Sequence, residues 1–223
     1  MRMESVDIYT TEEQQLDAFR QWWKDNGRAV IIGAVLGLGG LYGWRYWQSH
    51  QHNNYTTMST QYEQVLTGLN SVADGSKAAD STQAQAVDKQ AQAFIDAHPD
   101  TSYGVFTALE LSKAQIEQGN YAAAAKQLEW ALANTQDATL TPVITLRLAR
   151  VQQQLGQSDN ALATLDKITS AAWKPQALAL RGDILLSKHD LVGAKAAYTQ
   201  AMTDGANPTL QGMLQMKLND LSN

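Results

Sequence analysis

His50 and His52 form an HxH pair, the only two of the four histidines close enough in sequence to suggest a shared metal ion. On a helix a two-residue step turns side chains about 200° apart, and no third ligand stands nearby, so the pair reads as polar residues at an interface. The chain has no cysteine, which removes disulfides, Cys-ligated zinc, iron–sulfur clusters and any thiol nucleophile. GxxxxGKS or GxxxxGKT, GxGxxG after a strand, HExxH and GxSxG are all missing. The usual warrants for nucleotide, zinc or acyl-transfer chemistry are therefore missing too. No catalytic residue, metal site or cofactor is nominated, and the expectation is a binding protein rather than an enzyme.

His98-Pro99-Asp100 needs separate treatment, because HPD is the tripeptide with which J-domains stimulate a partner ATPase. A J-domain requires a basic helix before it, and the preceding AVDKQAQAFIDA is weakly charged. Pro99 more simply stops one helix, and Asp100 helps to begin the next. The formal charge of −5 also argues against nucleic acid, which demands a basic face that releases counterions.

Residues of this kind must be carried by something, and composition says what. Alanine, glutamine and leucine dominate after residue 55, prolines are few, and strand-like alternation is nearly absent. An all-α chain is predicted. From Ala29 to Trp44 the sequence AVIIGAVLGLGGLYGW has no charge; about 16 residues make about 24 Å of helix. The shortfall against a bilayer closes if Arg28 and Arg45 snorkel and if Trp44, Tyr46 and Trp47 sit at one interface with Trp22 and Trp23 near the other. Bulky residues after the apolar run, and an acidic stretch before it, argue for an uncleaved span over 28–47. Arg20, Lys24 and Arg28 precede it closely, whereas only Arg45 follows until Lys77. That bias places the N-terminus in the cytoplasm and the large C-terminal part across the membrane, in a bacterium the periplasm.

Gly33, Gly37 and Gly40 fall near one helical stripe, a spacing that admits a second helix at close range, although glycine is also common in membrane helices. Before the span, Thr10 and Glu13 have capping-box spacing, and Leu16, Phe19, Trp22 and Trp23 recur at helical intervals until Asn26-Gly27 ends the pattern. Residues 1–27 thus read as a cytoplasmic stub with a short amphipathic helix, either an anchoring collar or a docking element.

Residues 48–223 show self-similarity. Gly119 is followed five residues later by Ala124, Gly156 by Ala161 and His189 by Ala194. These anchors recur after about 37 and then about 33 residues, against a tetratricopeptide (TPR) period of about 34. The prediction is a TPR-like solenoid of helical hairpins. Residues 55–72 and 82–97 add an upstream hairpin, and Asn207-Pro208 starts a last helix whose Leu210, Met213, Leu214 and Leu218 cover the end of the stack. In such stacks the first helix of each pair lines a concave groove suited to peptides. The register places Lys113, Glu117, Arg150, Gln153, Gln154 and Asp183 there, with Phe106, Ile116, Val143 and Leu186 between them. The alternative is that these charges form a solvated face and the contact surface is convex.

The stretches GWRYWQSHQ (43–51), LRLARVQ (146–152), LRGDILLSK (180–188) and MLQMKLNDLS (213–222), in this order behind one N-terminal span, resemble the YfgM family of ancillary SecYEG translocon subunits. The resemblance covers essentially the whole chain. It implies a single-pass protein of the cell inner membrane whose periplasmic domain faces the SecYEG channel and the membrane-anchored chaperone PpiD, helping pass secreted client chains to periplasmic chaperones. It supplies no catalytic residues. The function expected from it is a translocon-associated adaptor; the alternative is an envelope stress regulator acting through its cytoplasmic N-terminal segment.

Overall fold

The computed structural model describes residues 9–73 and 81–221, and the side chains among them except those at 9–15, 18, 49–55, 73 and 81. The described residues form nine helices and no strand: α1 (Tyr9–Ala73), α2 (Ser81–Ala97), α3 (Ser102–Glu117), α4 (Tyr121–Asn134), α5 (Leu140–Gln154), α6 (Ser158–Leu165), α7 (Lys174–Ser187), α8 (Leu191–Thr203) and α9 (Pro208–Asp220). Two units divide the chain at Thr57 and Met58.

The first unit is the N-terminal part of α1. The helix break expected at Asn26-Gly27 is absent. Asn26 uses its side-chain amide inside the helix, donating to the Trp22 carbonyl at 3.1 Å, and so does not act as a terminator. The Trp23 indole lies over Gly27, 3.3 Å from where a Cβ would sit. A glycine inside a helix costs only about 1 kcal/mol, less than leaving helix-end amides unpaired beside an apolar run. Phe19–Gln48 is long and apolar enough to cross a membrane, and only 6% of its most apolar window is buried. A core helix would be buried, so this surface is made for lipid or for another helix. Phe19, Trp22 and Trp23 cluster at one end, with ring centroids 6.2 to 6.4 Å apart, and Trp44 meets Trp47 at 5.5 Å at the other. His50, His52, Thr10 and Glu13 have side chains outside the described residues.

The second unit begins with the last turns of α1, which bury Val65, Leu69 and Val72. Val65 and Leu69 pack with α2, α3, α4 and α5 in one core that holds Ile95, Leu111, Leu128 and Ile144. A second core joins α5, α6 and α7 through Leu146, Ala149, Ala161 and Ile184. The third joins α7, α8 and α9 through Ala194, Tyr198, Ala201 and Leu214. Each core is shared by neighbouring hairpins, as stability by nearest-neighbour stacking requires.

Three equivalent turns account for the repeat. Gly119, Gly156 and His189 have φ of 76°, 73° and 63°, the left-handed conformation that lets a helix end tightly. The next N–H groups, those of Asn120, Gln157 and Asp190, reach back to the carbonyls of Gln115, Gln152 and Leu185 at 2.7, 2.9 and 2.9 Å, the Schellman pattern. Asn120 and Asp190 then cap the next helix, accepting from the amides of Ala123 and Gly193, whereas Gln157 makes no side-chain cap bond. Five residues past each left-handed residue, Ala124, Ala161 and Ala194 are completely buried, where the paired helices approach too closely for a larger side chain.

Two expectations are corrected at helix ends. Thr101, not Asp100, caps α3: its hydroxyl accepts from the Gly104 amide at 3.1 Å, since the capping oxygen must sit two or three residues before the amide it serves. Met213 of α9 is 47% exposed and does not cover the stack. The inward stripe runs through Leu210, Leu214, Leu218 and Leu221, a three- to four-residue step that leaves 213 at its edge.

Candidate partner-binding surface

The turn after α3 and the C-terminal half of α5 border a shallow, open depression of about 170 Å³ lined by Ile116, Tyr121, Arg147, Arg150, Val151 and Gln154. Val151 is buried and Ile116 and Tyr121 are half-buried, and all three pack against the first core. The floor is therefore apolar and held in place by the fold. Arg147, Arg150 and Gln154 are exposed, and only their apolar stems contribute to the lining. Of the residues expected in a groove, Ile116, Arg150 and Gln154 come together here. Lys113 and Glu117 lie exposed on α3, and Val143 and Gln153 are half-buried on α5.

The others lie elsewhere. Phe106 lines a separate cavity of about 200 Å³ with Val105, Leu140 and polar residues at the start of α3 and the end of α4. Asp183 accepts from the buried Tyr198 hydroxyl at 2.6 Å and pairs with Lys217, whose ammonium also stands 5.5 Å from the Tyr198 ring centre. Leu186 packs into the same third core. Asp183 and Leu186 thus bind α7, α8 and α9 to one another. Burial, then the Asp183 carboxylate that accepts from it, push the Tyr198 hydroxyl well above the ordinary tyrosine range.

Reasoning from sequence missed Tyr121, Arg147 and Val151. Arg147, Arg150, Val151 and Gln154 recur at three- and four-residue steps along α5 and were legible as one helical face. Tyr121 was not, because it belongs to the preceding hairpin.

Polar residues inside the second unit tie helices together. Gln152 accepts from the buried Thr164 hydroxyl at 2.8 Å, and Gln127 donates to Gln92 at 2.8 Å. Burial raises the carboxyl of Asp88 above its ordinary value, partly offset by the Gln115 and Gln118 amides. No group of three His, Asp or Glu side chains among the described residues could hold a metal ion. On α1, a Cβ at Gly33, Gly37 or Gly40 would meet nothing within 4 Å, so this stripe is open.

Hairpins closed by repeated left-handed turns and stacked on shared cores define a helical-repeat scaffold with small surface depressions. Residues 20–223 match the tetratricopeptide repeat-like domain family. The chain is 40% identical over 217 residues to the "Ancillary SecYEG translocon subunit" of Escherichia coli (strain K12), covering 97% of this chain and 100% of that one. It is 39% identical over 210 residues to the protein of the same name from Haemophilus influenzae, covering 94% and 97%. The chain belongs to this family of ancillary SecYEG translocon subunits. A solved TPR protein of Thermus thermophilus is 17% identical, with a TM-score of 0.46 over 62% of this chain and 72% of its own.

Proposed function

We propose that this chain is an ancillary subunit of a SecYEG translocon, an adaptor that links the channel to periplasmic chaperones through its TPR-like unit. The observation that carries the reading is the near-full-length similarity, at about 40% identity, to proteins of that name. In this reading residues 1–27 are a cytoplasmic stub, 28–47 span the inner membrane and 48–223 form a periplasmic domain. Arg20, Lys24 and Arg28 before the apolar run, against Arg45 after it, support that orientation. The open stripe of Gly33, Gly37 and Gly40 suits close packing against a helix of the translocon. A PpiD-type membrane-anchored chaperone and emerging secreted chains are the partners assigned to the periplasmic unit. No catalytic step is assigned to it.

A photoreactive residue at position 37, and in a parallel preparation at position 150, tests the division of labour in native membranes. Translocon adducts from the first and chaperone or client adducts from the second are expected. Self-adducts alone, or none, would remove the adaptor reading.

A further inference from the structure

We propose that Asp88 of α2 and Gln115 of α3 share one proton, forming an acid–amide clasp that fastens the hairpin of α1 and α2 to that of α3 and α4 more firmly as pH falls, whatever partner the chain serves. Gln115 is only 5% exposed. Its Nε2 donates to Asp88 Oδ2 at 3.5 Å, the long limit of a hydrogen bond. The other oxygen of each side chain, Asp88 Oδ1 and Gln115 Oε1, is buried and has no hydrogen-bond partner among the described residues. An ionised carboxylate only accepts, so three acceptor oxygens then share one amide group, and buried acceptors left unmatched are costly. A proton on Oδ1 turns one of the two orphans into a donor for the other. Oδ1–H then donates to Oε1 while Nε2–H keeps donating to Oδ2, a ring of two hydrogen bonds between neutral partners.

The surroundings favour that proton. The side chains that meet α2 around Asp88 are neutral: Gln115 and Gln118 from α3, Gln127 on Gln92 from α4 and Gly68 against Val87 from α1. Of the charged side chains on these elements, Glu63, Lys89, Asp96, Lys113, Glu117, Lys126 and Glu129 are exposed, and Glu110 acts on Tyr62. Burial raises the Asp88 carboxyl, and the Gln115 and Gln118 amides only partly oppose it. A carboxyl raised by folding binds its proton more tightly in the folded state. The clasp is therefore fully formed below the unfolded value of about 3.9 and is lost as pH rises through the raised one, the reverse of Asp137 and Asp204. What it holds is central: Ala91, Phe94 and Ile95 of α2 pack in the first core with Val65 and Leu69 of α1 and Leu111 of α3.

Hydrogen exchange of the α2 amides, in the full chain in detergent micelles, tests this between about pH 4 and about pH 7. Asp88→Asn supplies a donor at every pH and so stands in for the protonated acid; measuring it beside the wild type at each pH cancels the intrinsic pH dependence of exchange. At the acid end the two should exchange alike. Near neutrality the wild-type α2 should exchange about fivefold faster, the worth of one hydrogen bond, with α5 and α6 unaffected. Asp88→Leu, similar in shape and uncharged but without a donor, should not give the protection that Asn gives. Equal protection by Leu and Asn would mean that loss of charge alone matters, and would overturn the clasp. Wild type and Asp88→Asn exchanging alike at neutral pH, as when a bridging water satisfies both oxygens, would overturn it too.

Discussion

Single residues decide how tightly each hairpin closes. His189 holds the left-handed position that Gly119 and Gly156 hold in the other two turns, and a side chain there costs about 1 kcal/mol. His189→Gly should raise stability by roughly that amount, and Gly119→Ala should lower it by about 1 kcal/mol. Thermal unfolding tracked by circular dichroism reads both, and equal midpoints would remove the strain argument. Gly182 is a different case: a Cβ there would run into the Tyr198 ring. Gly182→Ala should cost about 1–3 kcal/mol through overpacking, and pairing it with Tyr198→Leu should recover part of the loss. Acidification acts on Asp137 and Asp204. Asp137 accepts from the Thr139 hydroxyl and amide at 2.7 and 2.8 Å. Asp204 pairs with Lys174 at 2.8 Å and accepts from Gln200 at 2.6 Å. These contacts hold both carboxyls below their ordinary range. Their stabilisation is present above the unfolded pKa, about 3.9, and is lost as pH falls through the lower folded values. Asp204→Asn should flatten the acid limb of the stability profile, and an unaltered limb would show that this contact contributes nothing measurable.

At the scale of helices, the three turns differ in how well they start the second helix of the hairpin. Asn120 and Asp190 cap α4 and α8 with side-chain oxygens, and replacing either by alanine should cost about 1 kcal/mol. Gln157 holds the same place before α6, whose eight residues make it the shortest helix of the described chain, and makes no such bond. Its longer side chain suits the N-cap poorly, so Gln157→Asp should stabilise α6 by about 0.5–1 kcal/mol. Hydrogen exchange of the α6 amides is the direct readout. Slower exchange confined to α6 is expected, and no change would mean that packing alone governs this helix. The element order was legible from the recurrence of glycine, small and apolar residues, because helical period and turn chemistry are local properties. The continuation of α1 through Asn26-Gly27 was not. That pair carries strong stop signals, and only the side-chain placements of Trp23 and Asn26 show how they are overridden.

For the whole molecule, the question is what the membrane-competent helix and the repeat unit each contribute. The open glycine stripe predicts that Gly37→Leu weakens co-purification with translocon subunits while leaving the fold of residues 58–223 intact. Unchanged recovery would move the docking function away from that stripe. Orientation is directly measurable because the chain has no cysteine. Single cysteines at Asp25 and Thr203 should react with a membrane-impermeant maleimide from opposite sides, the second from the periplasmic side. Labelling of both from one side would exclude the single-span topology.

What the sequence determined by itself was the set of things written in short-range pattern: helices, the repeat, the apolar run with its aromatic ends, and the family resemblance. Each arises from spacing within a few tens of residues. Tertiary structure alone decided which polar residues face inward and which residues from different hairpins meet. Asp183 occupies a register position suited to a groove, yet Tyr198 and Lys217, arriving from α8 and α9, engage its carboxylate in the packing of the C-terminal helices. Ile116 and Tyr121 gain Arg147 and Arg150 as neighbours only because one hairpin is laid against the next. Periodicity specifies the face of a helix; the partner of that face depends on packing between segments far apart in the chain.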